Sequence, residues 1–357
     1  MTRSASSPVK RILVATSQVP FAHGGAELHA QSLIEELSGR GFAVDLVQLP
    51  FSWTRRVDVL KSALAWRLLD LRTLTAEPID LVIAMRFPAY LIRHPNKVVW
   101  LIHQFRQVYD LKGTPYSEYQ SSPEDERAAA MVKAMDQRSL GEARALFTNA
   151  RNTASRLKRF NGLDATPLYA PPKLLSHIRP GNYGDYVLAV GRLDRMKRFE
   201  ILIEALAASR GNTRAIFAGR GPEQERLEEL ARRKGLEERV IFAGFVDDAR
   251  LVDLYANALA VYYAPYDEDY GYVTVEAMRA AKPVLTASDA GGVLEFVEDG
   301  VNGFIAAKAS PKQMGKAIDR LASEPGLAGR LGAAGQERVA GIGWEPVIDA
   351  LTSPFLP

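Results

Sequence analysis

The chain has 357 residues, 47% hydrophobic and 24% charged, with a formal net charge of +3. That length exceeds the usual single core and predicts two domains of a soluble globular protein. A charge this small gives no polybasic signal for nucleic acid, zero cysteines exclude disulfides, thiolate metal sites and cysteine nucleophiles, and no stretch approaches the ~18 uninterrupted apolar residues of a membrane span. The apolar run at 12–15 is too short for a signal peptide, so a cytoplasmic protein is expected, at most peripheral to the inner face of a membrane.

Short apolar runs alternate with amphipathic stretches along nearly the whole chain. Strands are predicted at 12–16, 44–49, 81–85, 98–103 and 146–149, and again at 186–190, 215–218, 240–243, 259–264 and 283–287, with helical periodicity between them. Strand–helix alternation predicts parallel sheets with right-handed crossovers. The Pro- and Gly-rich stretch from Ala170 to Asp185 reads as a linker between two Rossmann-like halves, 1–172 and 183–343. Residues 54–74 combine Arg55, Arg56, Lys61, Arg67 and Arg72 with a set of apolar residues. They read as a core-facing helix with a solvated basic face, or as a peripheral membrane contact.

The chemistry concentrates after particular strands. Gly24 and Gly25 open the first long helix, where glycine permits close backbone approach to an anion. His103, Arg106 and Tyr109 follow the strand at 98–103, at the edge where open α/β sheets place ligand contacts. Gly191-Arg192 and Lys197 follow the strand at 186–190 and precede a helix, a placement that suits a phosphate. Arg192 offers a bidentate grip and Lys197 a point charge. Gly219-Arg220-Gly221 lacks the third glycine of a dinucleotide fingerprint. Residues 268–276 read Glu-Asp-Tyr-Gly-Tyr-Val-Thr-Val-Glu, two carboxylates across a loop-to-helix junction with Gly271 between them. One acid could hold a sugar and the other a ribose.

The block from Glu268 to Met278, with Lys282-Pro283-Val284 downstream, resembles the signature of the family 4 retaining glycosyltransferases, roughly E-G-F-G-x-x-x-x-E-A-M. Asp269 and Tyr270 depart from that pattern. Gly191 to Lys197 is similar to the family's G-R-x-x-x-x-K segment. The resemblance implies the GT-B fold: two Rossmann-like domains facing across a cleft, with a C-terminal helix (344–357) crossing back to the first.

It also implies a retaining, metal-independent transfer of a sugar from a UDP- or GDP-linked donor to a saccharide, lipid-linked or small-molecule acceptor, in polysaccharide or glycoconjugate assembly. Arg192, Lys197, Glu268 and His103 would be catalytic. Donor contacts would come from Gly24, Gly25, Gly191, Gly244, Phe245, Val246, Glu268, Tyr270, Gly271, Tyr272, Val273 and Glu276, and Arg106 and Tyr109 would read the acceptor. No cofactor beyond the nucleotide-sugar co-substrate and no resident metal are expected, although Asp267-Glu268-Asp269 also reads as the D-x-D metal signature of the other major glycosyltransferase fold. The rivals are an epimerase or phosphorylase on the same fold, and a catalytically silent nucleotide-binding scaffold.

Overall fold

The computed structural model describes residues 10–20, 24–71 and 78–356. The chain divides into two compact units, Met1–Ala170 together with Gly343–Pro357, and Pro171–Ile342.

The first unit runs β1 (Arg11–Gln18), α1 (Gly25–Gly39), β2 (Ala43–Pro50), α2 (Arg56–Leu68), β3 (Leu81–Ala84), β4 (Lys97–Leu101), α3 (Pro123–Gly141), β5 (Ala145–Thr148), α4 (Arg151–Asn161) and β6 (Thr166–Pro167). Its six-stranded sheet is ordered β2-β1-β3-β4-β5-β6, and every pairing is parallel. Continuous apolar strands such as Leu81–Ala84 are buried throughout, as a sheet covered on both faces requires. Helix α3 begins where Ser122 accepts a hydrogen bond from Asp125 N and Pro123 fills the first turn.

The second unit runs β7 (Tyr186–Val190), α5 (Glu200–Ala208), β8 (Arg214–Ala218), α6 (Gln224–Arg233), β9 (Val240–Gly244), α7 (Asp248–Asn257), β10 (Ala260–Tyr262), α8 (Tyr272–Arg279), β11 (Val284–Ala287), β12 (Gly303–Ala306), α9 (Pro311–Ser323) and α10 (Leu327–Arg338). This sheet is also six-stranded and parallel, ordered β12-β11-β10-β7-β8-β9. Helix α11 (Trp344–Thr352) belongs to the first unit. It buries Val347, Ile348 and Leu351, sets Trp344 edge-on to Trp100 at 6.2 Å, and pairs Glu345 with Arg40 at 2.9 Å.

The strand order positions the chemistry. In the second sheet the chain proceeds from β7 through β8 to β9 on one side, then returns to place β10 on the other side of β7. In the first sheet the same reversal falls between β1 and β3. Loops leaving the carboxyl ends of such neighbouring strands diverge and open a crevice for ligands.

Beneath the first sheet's edge lies a buried acid. Asp136 on α3 is fully enclosed and accepts a hydrogen bond from the Tyr109 hydroxyl at 2.8 Å. Burial pushes its carboxyl up to about 7, against the opposing effect of the Tyr109 hydrogen bond. A carboxyl raised in the folded state contributes stability that is complete below its unfolded value near 4 and is lost as pH rises through about 7. Asp136→Asn should therefore flatten the decline in melting temperature between pH 5 and 8 relative to the unsubstituted protein. Parallel curves for the two proteins would show that Asp136 does not titrate in that range.

Candidate active site

At the reversal point of the second sheet, the loop after β7 and the loop after β10 meet. Lys197 lies in a short 3₁₀ turn after β7, held by Asp194, whose carboxylate accepts from the N–H groups of Met196 and Lys197 at 3.0 and 3.2 Å. The Lys197 ammonium donates to Glu268 Oε2 and, at 2.9 Å, to the Tyr263 hydroxyl. Tyr263 in turn donates to Glu268 Oε2 at 2.8 Å. Burial works against both charges. The mutual attraction of Lys197 and Glu268 outweighs it, raising the ammonium above its ordinary value and holding the carboxyl below the usual carboxylate range. Arg192, two residues past the end of β7 on the same loop as Lys197, is exposed and has no side-chain partner among the described residues.

The second acid is set apart. Gly271 precedes α8 with φ of +87°, a left-handed conformation that favours glycine, and an added Cβ would press within about 3.1 Å of both Tyr263 and Val293. From that start, α8 carries Glu276 toward α7, where its carboxylate accepts from the Tyr255 hydroxyl at 2.7 Å. Burial lifts Glu276 to about 7, with the Tyr255 hydrogen bond acting the other way. The two carboxylates thus sit in opposite electrostatic environments: one neutralised by a cation and kept ionised, one supported only by a phenol.

Neighbouring loops brace this constellation through their backbones. Gly219 has φ of +147°, and a Cβ there would collide with the Gly191 carbonyl. Gly219-Arg220-Gly221 therefore supports the Arg192 loop, with Leu193 N donating to Arg220 O at 3.0 Å. The segment from Asp267 to Glu268 pairs with Asp289 to Gly291 in a parallel bridge, in which Gly292 N donates to Glu268 O at 2.8 Å.

Arg198 locks the two segments together: it pairs with Asp289 at 2.7 and 2.8 Å and donates to the carbonyls of Ala264 and Pro265 at 2.8 Å. Lys282, read from sequence with the signature, is enclosed. It donates to Asn182 O at 2.7 Å and lies 3.9 Å from the Tyr183 ring centre, and burial lowers it to about 8. After β9, Gly244 takes φ of +65°, Phe245 is 78% exposed and Val246 is half-buried. Tyr270 and Val273 are buried, and Tyr272, half-buried, meets Tyr270 edge-on at 5.1 Å.

In the first unit, the reversal between β1 and β3 gathers a different set. Gly24 N donates to Glu27 Oε2 at 2.9 Å, and Glu27 Oε1 pairs with Arg86 at 2.6 Å. Arg86, just past β3, also donates to Ser17 Oγ at 3.1 Å. Gly25 begins α1, so the glycine pair is fixed by an ion pair that reaches across the sheet edge. His103 is half-buried with Nδ1 2.7 Å from Gln104 O. Arg106 is paired with Asp110 at 2.6 Å, and Tyr109 is 6% exposed with its hydroxyl committed to Asp136.

Helix α2 buries Val59, Ala63 and Trp66, and its cations are largely paired: Arg55 with Asp58 and Arg56 with Asp125 at 2.7 Å, Arg67 with Glu142 at 2.6 Å. What remains for an anionic surface is Lys61 with exposed Val57, Leu64 and Leu68. Arg72 and the rest of 72–74 lie outside the described residues. Among the described residues no helix is long and apolar enough to cross a membrane, and no group of three or more His, Cys, Asp or Glu is placed to hold a metal ion.

Residues 180–338 match the family model described as glycosyl transferases group 1. That match lies within the second unit and spans most of it. An uncharacterized glycosyltransferase of Methanocaldococcus jannaschii is 35% identical over 143 residues, covering 40% of this chain and 36% of that protein. Across the curated relatives that it matches, the chain spans between 36% and 61% of their length. In fold, the chain is similar to a sucrose-phosphate synthase from Thermosynechococcus elongatus (TM-score 0.74, 20% identity, 95% of this chain and 96% of that one). It is also similar to Anabaena HepE solved with UDP-glucose (TM-score 0.68, 21% identity, 93% and 95%). The architecture is GT-B, the class expected from the sequence, built from two Rossmann-like units.

Tyr263, Tyr255 and the pairing of Arg198 with Asp289 are the parts of the second unit's site that the sequence did not reveal. Arg198 carries a specific expectation. Arg198→Leu should leave two carbonyls without their donor and cost about 1–3 kcal/mol of stability, the usual penalty for unsatisfied buried polar groups. Chemical denaturation measures it. An unchanged midpoint and slope would show that the loops are held by other contacts.

Proposed function

We propose that the protein is a retaining glycosyltransferase that moves a sugar from a UDP- or GDP-linked donor to an acceptor hydroxyl, in surface polysaccharide or glycoconjugate assembly. The observation that carries this reading is the meeting of Lys197, Glu268 and exposed Arg192 at the reversal point of the second sheet, on loops braced by backbone contacts. Cleaving a nucleotide sugar leaves a nucleoside diphosphate, so negative charge grows on the β-phosphate in the transition state. Preorganised cations aimed at that charge are usually the largest catalytic contribution. Arg192 is exposed on the same loop as Lys197. Lys197 needs only to exchange one anion for another.

Glu268 is assigned to hydroxyls of the transferred sugar and Glu276 to the ribose. Glu276 suits a neutral diol because its hydrogen-bond partner is the Tyr255 phenol rather than a cation, and Glu268 stays ionised to orient the sugar as its bond to phosphate lengthens. Retention is assigned to attack from the face the diphosphate leaves, with a leaving phosphate oxygen taking the acceptor proton. His103 is assigned to orienting the sugar. The nucleotide preference finds support in HepE, whose structure contains UDP-glucose.

Arg192→Ala should lower turnover at least tenfold with the melting temperature little changed. Lys197→Ala should lower turnover as much and also lower the melting temperature, because it strands the Glu268 carboxylate. Rates should persist in excess EDTA. The donor is first found by thermal shift against UDP-, GDP- and ADP-sugars, where a ligand at 100 times its dissociation constant adds ~2.7 kcal/mol. Near-normal rates in both variants would remove the leaving-group assignment, and loss in EDTA restored by manganese would favour the Asp267/Asp269 reading.

The two acids should fail differently. Glu276→Gln should weaken UDP or GDP binding by about ten- to a hundredfold, the worth of a lost charged hydrogen bond. In the unsubstituted protein affinity should rise as pH passes through about 7 and Glu276 ionises, and the variant should lack that gain. Glu268→Gln should lower turnover and spare diphosphate affinity. Equal losses of affinity in both variants, measured by calorimetry, would overturn the division of roles.

A further inference from the structure

Tyr263 touches Lys197, Glu268 and the Gly271 turn, and neither composition nor motif marks it. It follows β10 directly, is 5% exposed, and donates its N–H to Leu285 O at 2.9 Å. Its ring lies where a side chain on residue 271 would go, and the Lys197 ammonium stands 5.2 Å from the ring centre. Its hydroxyl stands between the two charges, accepting from Lys197 and donating to Glu268. A phenol has one proton to give, and here it goes to the carboxylate. Burial and then the charge of Glu268 raise the phenol far above its ordinary value, so that proton is present at any working pH.

We infer that Tyr263 is a positioning residue that holds Glu268 in place, and keeps its charge satisfied, when Lys197 turns from that carboxylate to the donor's diphosphate. The inference rests on the proposed donor site. Without a ligand, Glu268 Oε2 accepts from Lys197 and Tyr263, while Oε1 accepts from Asp269 N at 3.4 Å. If the ammonium moves to a phosphate oxygen, the Tyr263 hydroxyl stays on the oxygen that the lysine leaves. Removing one partner of a buried charge costs more than the pair was worth, because the other charge is stranded. The phenol limits that penalty, so Lys197 can be recruited without the sugar-binding acid losing its orientation. No bond is made or broken at Tyr263, so it acts through Glu268 and Lys197 rather than on the reacting atoms.

The test is a double-mutant cycle read by calorimetry with UDP and with GDP, whichever the unsubstituted protein binds. Tyr263→Phe keeps the ring against Gly271 and should weaken diphosphate binding about tenfold. In a Glu268→Gln background, where no charge is left behind when Lys197 moves, the same substitution should change affinity less than twofold. The cost should also appear in the pH profile: protonating Glu268 relieves the stranded charge, so the acid limb of diphosphate binding moves to lower pH in Tyr263→Phe alone.

A purely structural tyrosine would give an equal loss in both backgrounds with no movement of that limb, and this result overturns the inference. So does Tyr263→Phe binding like the unsubstituted protein while Lys197→Ala loses affinity; the donor site then stands without it. If Lys197→Ala itself binds UDP and GDP normally, the donor-site reading fails and takes this inference with it. Should Tyr263→Phe fold poorly, Tyr263→His, which retains a ring and a donor, must restore at least part of the affinity, and failure to do so in a folded protein counts against the assignment.

Discussion

The second unit is organised around a constraint: a lysine and a glutamate, both mostly enclosed, must satisfy each other. Removing either from water is costly, and their attraction offsets the cost only with good geometry and additional hydrogen bonds. Lys197 and Glu268 have both, because Tyr263 supplies a third polar group to each. The backbone then has to deliver three side chains from two loops to one point. That need accounts for the parallel bridge between Glu268 and Gly291, for Gly219 packed on Gly191, and for the Arg198 guanidinium clamped on Asp289. The loops that carry these side chains are thus held by the fold itself, independently of any ligand.

Much of this was legible in the chain. The strand at 186–190 occurs with the same bounds, and the others lie within a few residues of their expected limits. Apolar runs of that length between Gly and Pro clusters have few other ways to be buried. The start of α8 at Tyr272, next to Gly271, was readable because one glycine sits between two polar stretches. Strands β6 and β12 were not foreseen: one is two residues long and contains a proline, and the other is four residues closed in by turns. Neither has enough alternation to register.

The missed site residues share a cause. Tyr263 reaches Lys197 across 66 positions and Arg198 reaches Asp289 across 91, so no local pattern pairs them. Tyr255 and Tyr263 also sit in apolar runs where a tyrosine reads as core. The reverse case is equally physical. Tyr109 follows a strand's carboxyl end, as a ligand contact would, yet its hydroxyl turns inward to Asp136. In the first unit the charge that matters at the sheet edge is Arg86, a single arginine that sequence alone could not tell from a solvated one. Its pairing with Glu27 ties the helix that Gly24 and Gly25 open to the strand beside it.

The central claim is that Lys197 exchanges Glu268 for the donor's diphosphate. A crystal structure of the protein with UDP or GDP bound tests it most directly. The account predicts a β-phosphate oxygen within hydrogen-bond distance of Lys197 Nζ and of the Arg192 guanidinium, with Glu268 still accepting from Tyr263. A diphosphate bound elsewhere in the second unit, with the Lys197–Glu268 pair intact, would contradict it.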